Sequence, residues 1–239
     1  MDSPMYILTQ IGFGLITVVF IYLFLAELKK GLAKSTIEIS KQDKIFNRSL
    51  LGILLWTVFI SAWSMTGMMG NFSIFPFNVL PVIAIPLITI LVIIFSKTFG
   101  EIIIHVLPQN IIRLQTFRIL VEVLLWALFI KNLVPIQMTF EGLNFDVLSG
   151  ISAMLIAYLV SKQSISKRTI LIWNILCLGL LVNIVVIAIL SMPSPLRYFM
   201  NEPSNTIVTQ FPISLLPGLL VPLAYTLHFF SMRQQALIK

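Results

Sequence analysis

Arg118 and Glu122 stand four residues apart inside an otherwise apolar stretch, Arg118-Ile119-Leu120-Val121-Glu122. On a helix that spacing puts both on one face, within reach of an ion pair, with Gln115 one turn earlier on the same side. A carboxylate and a guanidinium in such a place are the groups that bind a charged solute, hold a proton or lock helices together. A charge in lipid costs about 2 to 3 kcal/mol even on lenient insertion scales, so it faces a bundle interior or a water-filled cavity. Three more polar residues, Asn174, Asn183 and His228, also sit in apolar runs. Counting helical rise from the cytoplasmic ends of their runs puts Glu122 roughly 10 Å deep, with Asn174 and His228 at a comparable level. Arg118, Glu122, Asn174 and His228 are therefore expected to line one cytoplasm-facing polar vestibule. The alternative is a structural network pinning three helices together, or an Arg118 that snorkels to the headgroups. Asn183 lies near the middle of its run, where a single interhelical hydrogen bond would account for it.

A second set precedes another apolar run: Phe140-Glu141-Gly142-Leu143-Asn144-Phe145-Asp146. Asn144 or Asp146 is placed to cap a helix N-terminus and Gly142 to permit a turn. The set is read as an outer mouth, with the proline-rich stretch 191–210 (Pro193, Pro195, Pro203, Asn201, Glu202, Asn205, Thr206) folded over it as a cap or re-entrant segment. Pro212, Pro217 and Pro222, with Gly218, predict a kinked last helix whose freed carbonyls could line a cavity. Thr57, Ser61 and Ser64 form a hydroxyl stripe suited to close helix contact, with Trp56 and Trp63 as core and interface aromatics.

The elements that carry these residues must be membrane helices. Hydrophobic residues make up 58% of the 239 and charged residues 10%, and the mean hydropathy is +1.00; soluble domains are nearer 25% charged. The chain reads as all-α, one integral membrane domain over residues 1–239, with about seven transmembrane helices. The spans are expected near 6–26, 49–67, 79–96, 115–134, 146–161, 170–191 and 211–231. The first reads as an uncleaved helix, since Asp2 precedes it with no basic residue or cleavage site. Lys29, Lys30, Lys34, Lys41, Lys44 and Arg48 fill the first connection, Lys97 and Arg113 the third, Lys162, Lys167 and Arg168 the fifth, and Arg233 and Lys239 the tail. The alternate connections hold Lys131 and Arg197 beside Glu141, Asp146 and Glu202. That bias puts the N-terminus outside and the C-terminus in the cytoplasm, in the cell membrane. Phe99 to Leu107, closed by Pro108, reads either as a short helix at the interface or as an overlong third span.

Several chemistries are excluded. Cys177 is the single cysteine, so there is no intrachain disulfide and no cysteine metal cluster. No lysine lies in the seventh run for a retinal Schiff base, and no H-E-x-x-H, G-x-S-x-G or phosphate loop occurs. His105 and His228 do not make a haem pair, and no cofactor is expected. The net charge of +7 resides in short loops and signals topology rather than nucleic acid. The two sequons, Asn47-Arg48-Ser49 and Asn71-Phe72-Ser73, are short enough for chance.

Asn205-Thr206, Phe211-Pro212, Leu216-Pro217, Val221-Pro222-Leu223-Ala224, His228, Ser231 and Gln234, together with Phe140 to Asp146 and Trp173-Asn174, resemble the C-terminal part of a family of small bacterial multi-pass membrane proteins of unassigned function. The resemblance covers roughly residues 113 to 235 and implies a bacterial cytoplasmic membrane, without implying an activity. The expected partners are the lipid bilayer, a small solute or ion, and a protein partner or second copy. Three functions follow. The first is binding or translocation of a small solute or ion, with Glu122 and His228 as proton-linked groups, Arg118 setting their charge and Asp146 near the outer mouth. The second is a non-enzymatic subunit or scaffold, and the third an intramembrane enzyme on a lipid-like substrate with Glu122, His228 and Asp146 as acid or base groups.

Overall fold

The computed structural model describes residues 4–238, and it is all helical, with no strand among them. Asp2 and Lys239, used above for topology, lie outside the described residues. The chain runs through α1 (Pro4–Lys34), α2 (Ile39–Met65), α3 (Leu80–Ile94), α4 (Lys97–Ile103), α5 (Pro108–Leu114), α6 (Phe117–Ile130), α7 (Val147–Ser161), α8 (Lys167–Leu190) and α9 (Val221–Leu237). A π-turn, Leu216–Leu220, leads directly into α9.

Three of these, α1, α2 and α8, are long and apolar enough to cross a membrane, and the bent pair α3 and α4 would make a fourth. At 14 and 15 residues, α6 and α7 fall short of the ~20 that a spanning helix needs. The expectation of about seven spans thus goes beyond what helix length and composition support. Between α3 and α4 the chain turns by 82°. Ser96 adopts an extended conformation there and its side chain accepts from the Phe99 amide, capping a new helix. Phe99 accordingly belongs to a separate short helix, Lys97–Ile103, which does not prolong α3.

The core is organised around α9, whose residues Pro222 to His228 are all buried. Phe13 of α1, Phe117, Val121, Leu125 and Leu128 of α6, Leu181 and Ile184 of α8, and Leu223 and Leu227 of α9 belong to one hydrophobic cluster. On α8 the buried residues Ile170, Trp173, Asn174, Cys177, Leu181 and Ile184 recur every three or four positions, so one stripe faces inward. Against this, α2 buries only Ile60 and Ser64 and leaves Leu51, Leu54, Leu55 and Val58 exposed. A helix with so apolar an outer surface is suited to hydrocarbon rather than water.

The segment between α6 and α7 positions the site. Trp126 donates to Glu141 Oε1 at 2.6 Å, Glu122 meets Asn144, and Arg118 meets Asp146. As the chain advances from 141 to 146, its partners on α6 move back from 126 to 118. The connection re-enters alongside α6 and descends about 12 Å, at 1.5 Å per residue, before α7 begins. Close packing makes this return fit. A Cβ on Gly150 would lie 2.9 Å from the Ile119 backbone nitrogen, and one on Gly142 would lie 2.3 Å from the Ile136 carbonyl oxygen. The glycine at 142 is needed for space against a neighbouring strand of backbone, not for an unusual turn conformation.

Candidate functional site: a buried arginine between two carboxylates

Arg118, second residue of α6, is 2% exposed. Its Nε donates to Asp146 Oδ2 at 2.6 Å and its Nη2 to Asp146 Oδ1, a two-pronged pairing in which the planar fork of the guanidinium meets the carboxylate end-on. Nη2 also donates to the Cys177 carbonyl at 3.3 Å, and Nη1 to His228 Nε2 at 2.8 Å. An imidazole accepting at Nε2 carries its proton on Nδ1, and that nitrogen lies 2.9 Å from Asn174 Oδ1. Asn174 Nδ2 then donates to Ser231 Oγ at 2.9 Å and to the Ile170 carbonyl at 2.8 Å. The chain Asp146, Arg118, His228, Asn174, Ser231 links α6, α7, α8 and α9, and each member satisfies the next.

Glu122, one turn along α6 and also 2% exposed, stands beside this chain. Its Oε2 accepts from Asn144 Nδ2 at 2.6 Å, and Asn144 is itself anchored to the Met138 carbonyl at 3.0 Å and, through Oδ1, to the Asp146 amide at 3.0 Å. No hydrogen bond among the described residues engages Glu122 Oε1. Arg118, Glu122 and Asp146 together form the polar end of a cavity of about 90 Å³ whose other walls are apolar, among them Leu125, Leu181, Ile184, Leu220 and Ala224.

Two expectations are corrected. Arg118 does not form its ion pair with Glu122: the helical spacing brings the two side chains near, but both Asp146 oxygens fit the guanidinium fork and take it. Nor do Asn144 and Asp146 belong to a separate outer mouth. Asp146 occupies the N-cap position of α7 but its side chain caps nothing, because the re-entrant segment delivers it to Arg118. The inner and outer clusters are one site.

The remaining candidates lie around it. Gln115 donates to the Ala224 carbonyl at 3.0 Å and fastens the α5 to α6 junction to α9, while its Oε1 is buried without a partner. Asn183 donates to the Leu143 carbonyl at 2.9 Å and holds the re-entrant segment to α8. Gln137 donates to Ser191 Oγ and accepts from Asn201, tying that segment to the ordered stretch 191–210. There Arg197 bonds Glu202, which with the Ser204 amide holds the Glu202 carboxyl below its usual range.

The prolines around the start of α9 act as expected on the backbone. Pro222 has no N–H to offer the Gly218 carbonyl four residues earlier. Trp56 Nε1 supplies the missing donor at 2.8 Å. Ser64 likewise donates to the Thr209 carbonyl at 2.7 Å, whereas Thr57 and Ser61 bond back to their own helix.

Sequence reasoning missed Ser231 as the end of the polar chain and the Cys177 carbonyl as an acceptor for Arg118. A serine three residues after His228 shares its helix face, which was a usable signal; a backbone carbonyl gives none. Among the described residues no group of three or more His, Cys, Asp or Glu side chains is placed to hold a metal ion.

Comparison with curated proteins and with solved structures finds no match. Residues 76–235 match the model of the family described as Domain of unknown function (DUF8737), and since this is more than half of the chain, the protein belongs to that family.

Proposed function

We propose that this is a multi-pass protein of a bacterial cytoplasmic membrane that binds or translocates a small solute or ion at the Glu122 end of the cavity. The observation that carries the reading is an imbalance of charge. One guanidinium serves two carboxylates, Asp146 takes it with both oxygens, and Glu122 keeps a free oxygen toward an apolar cavity. A carboxylate left so in low dielectric calls for a proton or a cationic group. His228 is held as the neutral imidazole by Arg118 on one side and Asn174 on the other, so the proton-linked role rests on Glu122 alone. The lysine and arginine bias supports an outer N-terminus and a cytoplasmic C-terminus. In this topology α5 with α6 makes one crossing, and the re-entrant segment with α7 makes the next. An apolar outer face on α2 and three helices of spanning length favour the bilayer over water.

The test is a panel of small solutes and cations, read by the shift each causes in thermal unfolding of the detergent-purified protein. Glu122→Gln is expected to weaken any solute that binds by at least about tenfold, equivalent to 1.4 kcal/mol. A solute whose binding survives that substitution unchanged places the site elsewhere and refutes the reading.

A second reading, a non-enzymatic scaffold, is favoured by the saturation of the chain from Asp146 to Ser231. It predicts that Glu122→Gln changes stability alone, that no solute shifts unfolding, and that a partner protein co-purifies.

A further inference from the structure

We infer that the occupant of this cavity is a small primary ammonium compound with a short hydrocarbon body, its head on Glu122 Oε1 and its body among the apolar walls. The inference rests on the reading of Glu122 as a binding residue and narrows it to a chemical class.

Anions are the wrong sign and find a single uncommitted N–H at most. A guanidinium has five N–H groups, and four of Arg118's are committed, two to Asp146, one to His228 and one to the Cys177 carbonyl. An incoming carboxylate or phosphate would also face Asp146 and Glu122 across the same small space.

Bare metal cations find too few ligands. Calcium takes six to eight oxygens, and magnesium keeps an octahedron largely of water. Here one carboxylate oxygen is free of hydrogen bonds, because both Asp146 oxygens accept from Arg118 and Glu122 Oε2 accepts from Asn144. Apolar walls of Leu125, Leu181, Ile184 and Leu220 cannot replace a hydration shell.

An alkylammonium asks least of the site. It brings one positive charge to the uncompensated carboxylate, directs three N–H donors at the carboxylate end where a metal ion needs six or more ligands, and covers the rest of the wall with methylene groups. Size sets its length. A cavity of about 150 Å³ accommodates benzene, so the roughly 90 Å³ here suits about four non-hydrogen atoms, well below the pockets of about 300 Å³ and more that take drug-sized ligands.

The experiment is calorimetric titration of the full-length detergent-purified protein at neutral pH with n-propylammonium, 1-propanol, propionate and sodium ion. The first three each contain three carbons and differ in the head. Propylammonium is expected to bind at least tenfold more tightly than 1-propanol, with no detectable propionate or sodium binding. Glu122→Gln should remove that tenfold advantage and leave 1-propanol unchanged. Ala188→Leu, which fills the cavity from α8 without touching the polar end, should weaken propylammonium and propanol together and keeps the test valid if Glu122→Gln folds poorly.

Glu122-dependent binding of sodium or of 1-propanol at least as tight as propylammonium overturns the ammonium class and leaves Glu122 as a binding residue. Propylammonium binding that neither substitution alters overturns the assignment of this cavity. If no probe binds and Glu122→Gln changes only stability, the inference and the reading beneath it both fall.

Discussion

Arg118 could be recognised from sequence as buried, because an arginine amid isoleucine, leucine and valine has nowhere else to go in a chain this apolar. Its partner could not. Glu122 lies at the favoured helical spacing, whereas Asp146 is 28 residues away and sits where an aspartate ordinarily caps a helix. Fork geometry settles the matter, since one carboxylate offering both oxygens outcompetes a neighbour that must approach along the helix. Asp146→Ala would leave a guanidinium buried without its counter-charge, and a loss of about 3 to 5 kcal/mol of unfolding free energy is expected. The paired replacement Arg118→Met with Asp146→Leu should recover most of it, because the desolvation cost disappears with the charges. Denaturation of the three proteins side by side checks this. A single variant as stable as the parent would show that Arg118 finds another counter-ion.

Helix positions followed from hydrophobic runs, so most elements were legible, including α8 with its inward stripe and the bend before α9 foretold by its prolines. The descent of the segment between α6 and α7 was not. Nothing in Phe140 to Asp146 distinguishes a loop that stays at the end of a helix from one that returns beside it, since the hydrogen bonds that guide it are made to residues far away in sequence. Gly150 and Gly142 are the trace such a return leaves, because both stand where a Cβ has no room against backbone. Gly150→Ala is expected to cost about 1 to 3 kcal/mol by overpacking against Ile119 and to weaken Glu122-dependent binding through displacement of Asp146. Gly179 is the control: a Cβ there meets nothing within 4 Å, so Gly179→Ala in α8 should be neutral or stabilising by up to about 1 kcal/mol. Equal losses from the two substitutions would refute the packing argument.

At the scale of the whole molecule, composition alone pointed to the bilayer, and the polar residues that composition made conspicuous did converge. Arg118 meets His228 and His228 meets Asn174, while Glu122 stands one turn along α6 on Asn144. What rise could not supply was the vertical position of a segment that is not a helix. The family match reaches further upstream than the resemblance traced from 113 to 235: it starts at residue 76 and takes in α3, but it omits α1 and α2. Yet the Trp56 indole on α2 satisfies the Gly218 carbonyl that Pro222 leaves bare, and Ser64 does the same for Thr209. Kinship and folding therefore have different borders in this chain. A shortened chain beginning at residue 76 would keep the whole of the shared family sequence and still expose unsatisfied acceptors in the kinked approach to its central helix, each worth roughly 1 to 3 kcal/mol. Such a chain is expected to aggregate on size-exclusion chromatography in detergent and to recover when α1 and α2 are supplied as a separate peptide. A monodisperse shortened protein that still binds at Glu122 would mean that α2 is an accessory and the indole a convenience.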